Sequence, residues 1–241
     1  MKAIILNSGI GKRMGKLTEN KPKCLVEIID GVTILRRQIE ILYKLGIDDF
    51  IITTGPYEEK IRAELSSCFS GLKIEFVNNN QYESTNYIYS ISLIPKLNCD
   101  EIIILHGDLV FDEGIIERVL NSDYDNSVVV NSNEVLSEKD FIGRVIDEKV
   151  VKIGVNIENE NVFNLYPLYK LSIAMYNLWC VEMNRFIGNG MVGVYAEDAL
   201  NNLLGNGIDL RPVYIKHELC AEVDDIYDLE VVKKCLADRN C

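Results

Sequence analysis

The chain has 241 residues, of which 48% are hydrophobic, and a formal net charge of −12. This length suffices for one α/β domain with a large core, and the acidic balance disfavours nucleic acid and acidic membrane surfaces as partners. No apolar run in the sequence approaches the roughly 18 residues that a membrane-spanning helix needs. The seven cysteines are scattered without Cys-x-x-Cys spacing, which favours free thiols over a disulfide framework or a zinc site. We therefore expect a single-domain cytoplasmic protein, residues 1–241, with small-molecule partners.

A glycine-rich segment follows the first predicted strand, residues 2–6, and reads Asn7-Ser8-Gly9-Ile10-Gly11-Lys12-Arg13-Met14-Gly15. Glycines let the backbone approach an anion closely and turn its amides toward it, while Arg13 and Lys23 add fixed positive charge. Residues 1–23 carry six basic side chains and one acidic one, whereas the other 218 residues carry 19 and 36. The pattern predicts a triphosphate-binding loop with these residues at the nucleotide: Leu6, Asn7, Ser8, Gly9, Gly11 and Lys12.

Two better-known phosphate-binding motifs fit this segment poorly. A Walker loop would need Gly-x4-Gly-Lys-Ser/Thr, which the sequence lacks. A dinucleotide fold would need glycines three apart after the second glycine, but Gly11 and Gly15 are four apart. The acidic residue expected at the end of the second strand is also missing from Ile51-Ile52-Thr53-Thr54-Gly55. A phosphate clamp therefore fits better than an NAD-binding dehydrogenase.

Apolar runs and helical spacing alternate along the chain, which predicts parallel β/α units. Strands are predicted at residues 2–6, 49–54, 73–78, 101–106 and 127–131, and helices at residues 33–45 and 58–68. Two alternating segments between residues 141 and 155 flank Asp147-Glu148, which predicts a hairpin. The aromatic-rich residues 156–190 are expected to cover the site. The predicted elements that complete the chain are helices near 181–187, 196–204 and 226–236 and a strand at 211–217. Consecutive apolar positions, as in residues 102–105, indicate a doubly wound sheet with both faces covered.

The segment from Lys2 to Leu25 resembles the signature of nucleotidyltransferases that make sugar-nucleotide and CDP-alcohol precursors. In that signature Gly-x-Gly-x-Arg-(Met/Leu) precedes a Pro-Lys pair, and the matching residues here are Gly9, Gly11, Arg13, Met14, Thr18, Pro22 and Lys23. The resemblance implies a glycosyltransferase-A-like α/β fold with a mostly parallel sheet. Its expected parts are a nucleotide-binding core (1–131), an acceptor-side hairpin and helical cover (141–190) and a C-terminal completion of the core (191–241). It also implies that Arg13 and Lys23 are the catalytic cations at the triphosphate.

Two aspartates are predicted to hold Mg²⁺, which prefers hard carboxylate ligands beside phosphates. Asp108 follows His106-Gly107 at the carboxyl end of a predicted strand, where open α/β sheets bind ligands. The alternative role for Asp108 is an N-cap or turn residue before the next helix. Asp224 lies in Ala221-Glu222-Val223-Asp224-Asp225, which resembles the Glu-Ile-Asp-Ser segment of bacterial phosphocholine cytidylyltransferase, whose aspartate completes the magnesium site. Asp225 is expected to cap the last helix. His106 is expected to have a packing or hydrogen-bonding role and not to contact a ligand. Glu222 is expected either beside the metal ligands or in solvent.

Polar residues 79–91 resemble stretches of the cytidylyltransferases for phosphocholine and aminoethylphosphonate, which favours CTP. Gln81 and Ser84 are predicted to read cytosine, and Asn86 and Ser90, which share a helix face, to face the reacting phosphates. The alternative is a capped loop with ordinary polar residues.

Acceptor binding is the least specified part of the site. Its predicted residues are Tyr89, Ser90, Trp179 and Glu197, with Tyr166, Tyr169 and Tyr176 completing an aromatic cage for an ammonium group. Core packing is the alternative for these aromatic side chains.

The resemblances together imply a cytidylyltransferase that transfers CMP from CTP to a phosphorylated or phosphonate alcohol or amine, such as phosphocholine or 2-aminoethylphosphonate, and releases pyrophosphate. Mg²⁺ is the expected cofactor, and a homodimer is possible because many family members form one. The alternatives are a sugar-1-phosphate uridylyl- or thymidylyltransferase and a nucleotide-binding sensor without turnover.

Overall fold

The computed structural model describes residues 1–155, 157 and 160–239. Its strands are β1 (Lys2–Asn7), β2 (Glu27–Ile29), β3 (Val32–Thr33), β4 (Asp49–Thr54), β5 (Lys73–Asn78), β6 (Glu101–His106), β7 (Leu109–Phe111), β8 (Ser127–Asn131), β9 (Ile142–Ile146), β10 (Lys149–Gly154), β11 (Val162–Ser172), β12 (Arg211–Ile215) and β13 (Cys220–Glu222). Its helices are α1 (Ile34–Lys44), α2 (Glu58–Cys68), α3 (Tyr87–Ser92), α4 (Glu113–Leu120), α5 (Ile173–Gly188), α6 (Ala196–Gly205) and α7 (Ile226–Arg239). Among these helices, none is long and apolar enough to cross a bilayer.

Within the described residues, nine strands form one central sheet. Strand β1 lies between β4 and β6, and β4 continues to β5, all with parallel pairing. The long β11 runs antiparallel beside β6 and also pairs with β8, which is parallel to β12. The β9–β10 hairpin joins the first residues of β11. The structure therefore confirms the predicted α/β fold with a mostly parallel central sheet.

Helices cover both faces of this sheet. In β1, Ala3 and Ile5 pack in the core cluster with α1, α2 and α4, whereas Ile4 packs in the cluster with α3, α5 and α6. Residues 102–105 of β6 are at most 1% exposed, as expected for a strand buried on both sides. The carboxyl ends of β1 and β6 therefore project from strands that are buried in the core, where burial of apolar surface contributes about 25 cal/mol per Å².

Most predicted elements coincide with observed ones, and α2, β4, β5, β6 and β8 have the predicted bounds. Thr33 caps α1 instead of starting it, because its hydroxyl accepts a hydrogen bond from the Arg36 amide at 3.2 Å. The predicted hairpin is confirmed. Its turn residues Asp147 and Glu148 have φ of 48° and 57°, the left-handed backbone that a two-residue type I′ turn requires.

The range predicted as a cover, residues 156–190, contains a strand of the central sheet that was not expected. Residues 162–172 form β11 inside the sheet, and residues 173–188 form α5. The strand was not recognised because it buries polar side chains: the Asn164 amide donates to the Val135 carbonyl at 2.9 Å, and Lys170 Nζ donates to the Ser122 carbonyl at 2.9 Å. Residues 156, 158 and 159 of that cover, and residues 240–241 of the C-terminal part, lie outside the described residues.

Candidate active site

A cleft of about 460 Å³ opens at the carboxyl ends of β1 and β6, a volume in the range of small-molecule sites. It is lined by the glycine-rich loop, the turn after β6, the start of α3, residues 139–141 and the segment after β13. The predicted site residues that line it are Leu6, Asn7, Ser8, Gly9, Gly11, Lys12, Arg13, Lys23, Asn86, Ser90, Asp108 and Asp224. The fold thus brings the predicted metal residues and most of the predicted nucleotide residues to one place.

Gly11 sets the path of the glycine-rich loop. Its φ is +67°, and a Cβ atom at this position would lie 2.8 Å from the Cβ of Lys23. The Thr18 hydroxyl donates to the Gly11 carbonyl at 2.8 Å, and Met14 is fully buried among apolar residues of β2, α1 and α7. These anchors place Arg13 and Lys23 beside each other at the cleft.

The turn after β6 packs directly on the end of β1. The Gly107 amide donates to the Leu6 carbonyl at 3.0 Å, and a Cβ atom on Gly107 would lie 1.7 Å from Asn7 Oδ1. A side chain at Gly107 therefore requires the Asn7 side chain, which lines the cleft, to move.

We expect Gly107→Ala to lower the free energy of unfolding by about 1–3 kcal/mol, as other overpacked sites do, and to weaken nucleotide binding because the Asn7 side chain in the cleft is displaced. Denaturant unfolding and titration with CTP measure the two effects. Gly114→Ala in α4 is the matched control, because nothing lies within 4 Å of the Cβ it would add and alanine favours helices. Equal stability and equal nucleotide affinity of the two variants would contradict this account.

Opposite charges meet in the cleft. Lys23 Nζ lies 2.9 Å from Asp224 Oδ1 and also contacts Asp108, and an Arg13 nitrogen lies 2.8 Å from the same Asp224 oxygen. Burial alone lowers the pKa of Lys23, but Asp108 and Asp224 outweigh burial and raise that pKa above its usual value. For Asp108, burial raises the pKa, but Lys23 and His106 outweigh it and lower the pKa. Lys23 and Asp108 are therefore both charged at neutral pH.

Asp108 and Asp224 come together through a small antiparallel pair of strands, β7 and β13. The Val223 amide donates to the Asp108 carbonyl at 3.0 Å, and this backbone hydrogen bond holds the residue before Asp224 against Asp108. Each strand has three residues, which is too short for a period-two pattern to reveal it in the sequence.

Glu222 belongs to the site, although its sequence context left its position open. Its carboxylate, His106 and Asp108 offer ligand atoms that all lie within 4.8 Å of one another. Burial and repulsion by Asp108, Asp224 and Asp140 raise the pKa of Glu222 well above its usual value. The signal available in the sequence was the spacing of Glu222 and Asp224, because residues two apart share one side of an extended segment.

The donor set fits a divalent cation. One oxygen of Asp108 and one of Glu222 are buried without a hydrogen-bond partner among the described residues. Hard oxygen ligands suit Mg²⁺, so Asp108, Asp224 and Glu222 are the residues that would hold it.

Residues 139–141 also line the cleft and were not predicted. Lys139 Nζ lies 2.8 Å from both carboxylate oxygens of Asp228 in α7, which ties this segment to the helix that follows Asp224. The Asp140 carboxylate accepts a hydrogen bond from the Ser137 hydroxyl at 2.8 Å. No motif marked these residues, because their position depends on packing between distant parts of the chain.

Tyr87, Phe141 and Tyr195 line the cleft with neighbouring rings, and these three side chains are called the aromatic wall below. The Tyr195 ring lies 5.1 Å from that of Phe141 and 6.1 Å from that of Tyr87. The edge-to-face contact of Tyr87 with His106, at 4.7 Å, joins the wall to the turn that carries Asp108.

The predicted aromatic cage is wrong. Trp179 is 1% exposed, and its indole N–H donates to the Ala196 carbonyl at 2.9 Å. Tyr166, Tyr169 and Tyr176 are also buried. The interior positions of β11 and α5 direct these rings into the core, whereas the aromatic wall comes from residues at or beside the ends of elements.

Four further predicted residues do not line the cleft: Gln81, Ser84, Tyr89 and Glu197. Gln81 and Ser84 are exposed in a turn, where Gln81 Nε2 donates to the Tyr89 hydroxyl at 3.1 Å. Glu197 is buried behind Tyr87. From the same polar stretch Asn79, Tyr82 and Thr85 line the cleft instead.

A cationic glycine-rich loop that faces carboxylates at the strand ends of such a sheet defines a class, the α/β nucleotidyltransferases. Residues 3–225 match the family model of the MobA-like NTP transferase domain, so the chain belongs to this family and is a nucleotidyltransferase.

Similar proteins with assigned activities include two that span nearly the whole chain. CTP:phosphoglutamine cytidylyltransferase of Campylobacter jejuni is 27% identical over 256 residues, which cover 96% of this chain and 98% of that protein. Choline-phosphate cytidylyltransferase of Streptococcus pneumoniae is 32% identical over 248 residues and covers 100% of both chains. The match to CMP-5'-(3-aminopropyl)phosphonate synthase of Streptomyces rubellomurinus, 28% identical, spans 49% of this chain and only 19% of that protein.

The fold also matches solved structures. The inositol-1-phosphate CTP transferase from T. maritima superposes with a TM-score of 0.79 at 21% identity, over 97% of this chain and 95% of that one. At this identity the likeness shows the shared fold.

Proposed function

We propose that the protein is a CTP-dependent cytidylyltransferase that transfers CMP to a small phosphorylated or phosphonate alcohol or amine and releases pyrophosphate. The observation that carries the proposal is the contact of Arg13 and Lys23 with the aspartates 108 and 224 in one cleft. The relatives that span nearly the whole chain are named as cytidylyltransferases for phosphoglutamine and choline phosphate, which favours CTP as the nucleotide.

In the proposed reaction an anionic oxygen of the acceptor attacks the α-phosphorus of CTP, and the bond from that phosphorus to the pyrophosphate oxygen breaks. No side chain has to remove a proton, because the acceptor's phosphate or phosphonate oxygen is already ionised at neutral pH. Catalysis then consists of alignment and charge neutralisation. Arg13 and Lys23 neutralise the phosphates, and the amides of the glycine-rich loop bind them. Asp108, Asp224 and Glu222 would hold Mg²⁺, which when bound would neutralise further negative charge on the phosphates.

The acceptor is assigned to the side of the cleft that carries Ser90, Asn86 and the aromatic wall, because the glycine-rich loop is assigned to the triphosphate. Asp140, the chain neighbour of Phe141, also lines the cleft, and an acidic group there suits an acceptor with an amine. The homodimer expected from the family resemblance belongs to the same proposal and is tested by light scattering after size-exclusion chromatography.

The test is a matrix of four nucleotides, CTP, UTP, dTTP and ATP, against phosphocholine, 2-aminoethylphosphonate, phosphoglutamine, inositol 1-phosphate and glucose 1-phosphate, with Mg²⁺. Pyrophosphate release shows turnover, and mass spectrometry identifies the product. Preference for CTP with a phosphate or phosphonate acceptor supports the proposal. Preference for UTP or dTTP with glucose 1-phosphate would replace it with a sugar-1-phosphate nucleotidyltransferase. Nucleotide binding without pyrophosphate in any combination would indicate a sensor.

A further inference from the structure

A buried carboxylate lies behind the aromatic wall. Glu197, in the first turn of α6, is 1% exposed, and both of its oxygens accept hydrogen bonds from tyrosine hydroxyls. Tyr169 donates to Oε1 at 2.9 Å, and Tyr87 donates to Oε2. No basic side chain of the described residues forms an ion pair with it.

A carboxylate in such a place is costly unless its oxygens are satisfied, because an unpaired charge loses its hydration on burial. The two hydroxyl donors and the positive N-terminal end of α6 offset this cost. Core packing alone would be served by an apolar side chain at this position. The carboxylate therefore points to a role for the groups that it holds.

One of these groups is part of the cleft. Tyr87 is the first residue of α3 and lines the cleft, whereas Glu197 does not. Because the Tyr87 hydroxyl is directed at the buried carboxylate, the ring rather than the hydroxyl forms the surface of the cleft. The same ring contacts His106, two residues before Asp108.

The other tyrosine provides an internal comparison. Tyr169 donates to the same carboxylate but is 2% exposed and packs against Trp179, with ring centroids 5.6 Å apart. It does not line the cleft. Loss of either hydroxyl removes one hydrogen bond from Glu197, yet only Tyr87 can transmit the change directly to a bound molecule.

We infer that Glu197 is a positioning residue for acceptor binding: it holds the Tyr87 ring in the aromatic wall and so sets the shape of the acceptor end of the cleft from inside the core. This inference rests on the proposed function, because it concerns the acceptor of that reaction.

The experiment compares Glu197→Gln, Tyr87→Phe and Tyr169→Phe, with the acceptor that the wild-type enzyme uses best in the nucleotide and acceptor matrix. Glu197→Gln and Tyr87→Phe are each expected to raise the KM for the acceptor about tenfold, and to leave the KM for CTP within about twofold. The double variant is expected to be no worse than either single variant, because both changes remove the same contact. Tyr169→Phe is expected to keep the wild-type acceptor KM.

Thermal unfolding of the three variants separates positioning from general stability. If stability alone mattered, Tyr169→Phe would impair the enzyme as much as Tyr87→Phe, since both remove one hydroxyl from the same carboxylate. An unchanged acceptor KM in Tyr87→Phe and Glu197→Gln, or an equal rise in Tyr169→Phe, would overturn the inference and leave the proposed function intact. A wild-type enzyme without turnover in the matrix would overturn both.

Discussion

Asp224→Asn is expected to lower kcat for magnesium-dependent pyrophosphate release by about a hundred- to a thousandfold, the usual effect of removing one charge-stabilising group from a preorganised site. Asparagine keeps the shape of the side chain but removes the charge that contacts Arg13 and Lys23 and that would hold Mg²⁺. The fold is expected to persist, because Lys23 keeps Asp108 as its partner and is not left as an unpaired buried charge. Steady-state kinetics, circular dichroism and thermal unfolding measure these effects.

Asp225→Asn is the matched control for this variant, since it makes the same chemical change one residue later. Asp225 does not line the cleft, and its carboxylate accepts a hydrogen bond from the Asp228 amide at 3.0 Å at the start of α7. Asparagine caps helices about as well as aspartate, so activity and stability are both expected to stay near wild type. If Asp224→Asn kept half of the wild-type kcat, Asp224 would have no place in the proposed metal site.

Lys23→Met is expected to have two opposite effects. The kcat falls by about a hundred- to a thousandfold, as for Asp224→Asn, but the nucleotide-free protein binds divalent cations more tightly. The Lys23 ammonium contacts both Asp108 and Asp224, so a metal ion has to compete with it for the same oxygens. Opposite charges about 4 Å apart attract by about 4 kcal/mol at the effective dielectric constant near a protein surface, so removal of the competitor is expected to tighten Mn²⁺ binding at least about tenfold. Titration with Mn²⁺ without nucleotide, followed by electron paramagnetic resonance, measures this.

Lys16→Met controls for the change in net charge. Lys16 is an exposed residue of the same loop and does not line the cleft. The Mn²⁺ affinities of Lys23→Met and Lys16→Met are to be compared at neutral pH. The pKa of Asp108 is lowered in the folded protein, so its pairing with Lys23 stabilises the fold fully above the unfolded-state pKa of about 3.9. This stabilisation is lost as the pH falls through the folded-state pKa of Asp108. Equal Mn²⁺ affinity of Lys23→Met and Lys16→Met would show that Lys23 does not compete for the metal ligands.

The glycine-rich loop was predictable because its chemistry is local. Gly11 needs a left-handed backbone, a local requirement that glycine meets without steric cost. Arg13 lies two residues after Gly11 and Lys23 lies in the same basic segment, residues 1–23, so the loop and its charges were recognisable together.

The aromatic wall was not predictable, because aromatic residues in a core and in a cleft look alike in a sequence. Trp179 and Tyr169 are at interior positions of α5 and β11, whereas Tyr87 is at the first residue of a helix and Tyr195 directly precedes one. Which of them contacts solvent depends on which elements pack on one another. Strand β11 was not recognised for a related reason, since its buried polar groups find hydrogen-bond partners that are distant in the sequence.

Local sequence determined most strands and helices of the α/β sheet, the phosphate-binding loop and Asp108 at a strand end, because each depends on backbone geometry or on hydrophobic periodicity within a short stretch. Asp224 was a candidate through the resemblance of its segment to that of phosphocholine cytidylyltransferase. Tertiary structure alone decided that Glu222 joins Asp108, that Lys23 bridges the aspartates, and that Tyr87 rather than Trp179 lines the cleft. These contacts join residues that are far apart in the chain. They exist because β7 pairs with β13 and because α3 and α6 pack on the same face of the sheet.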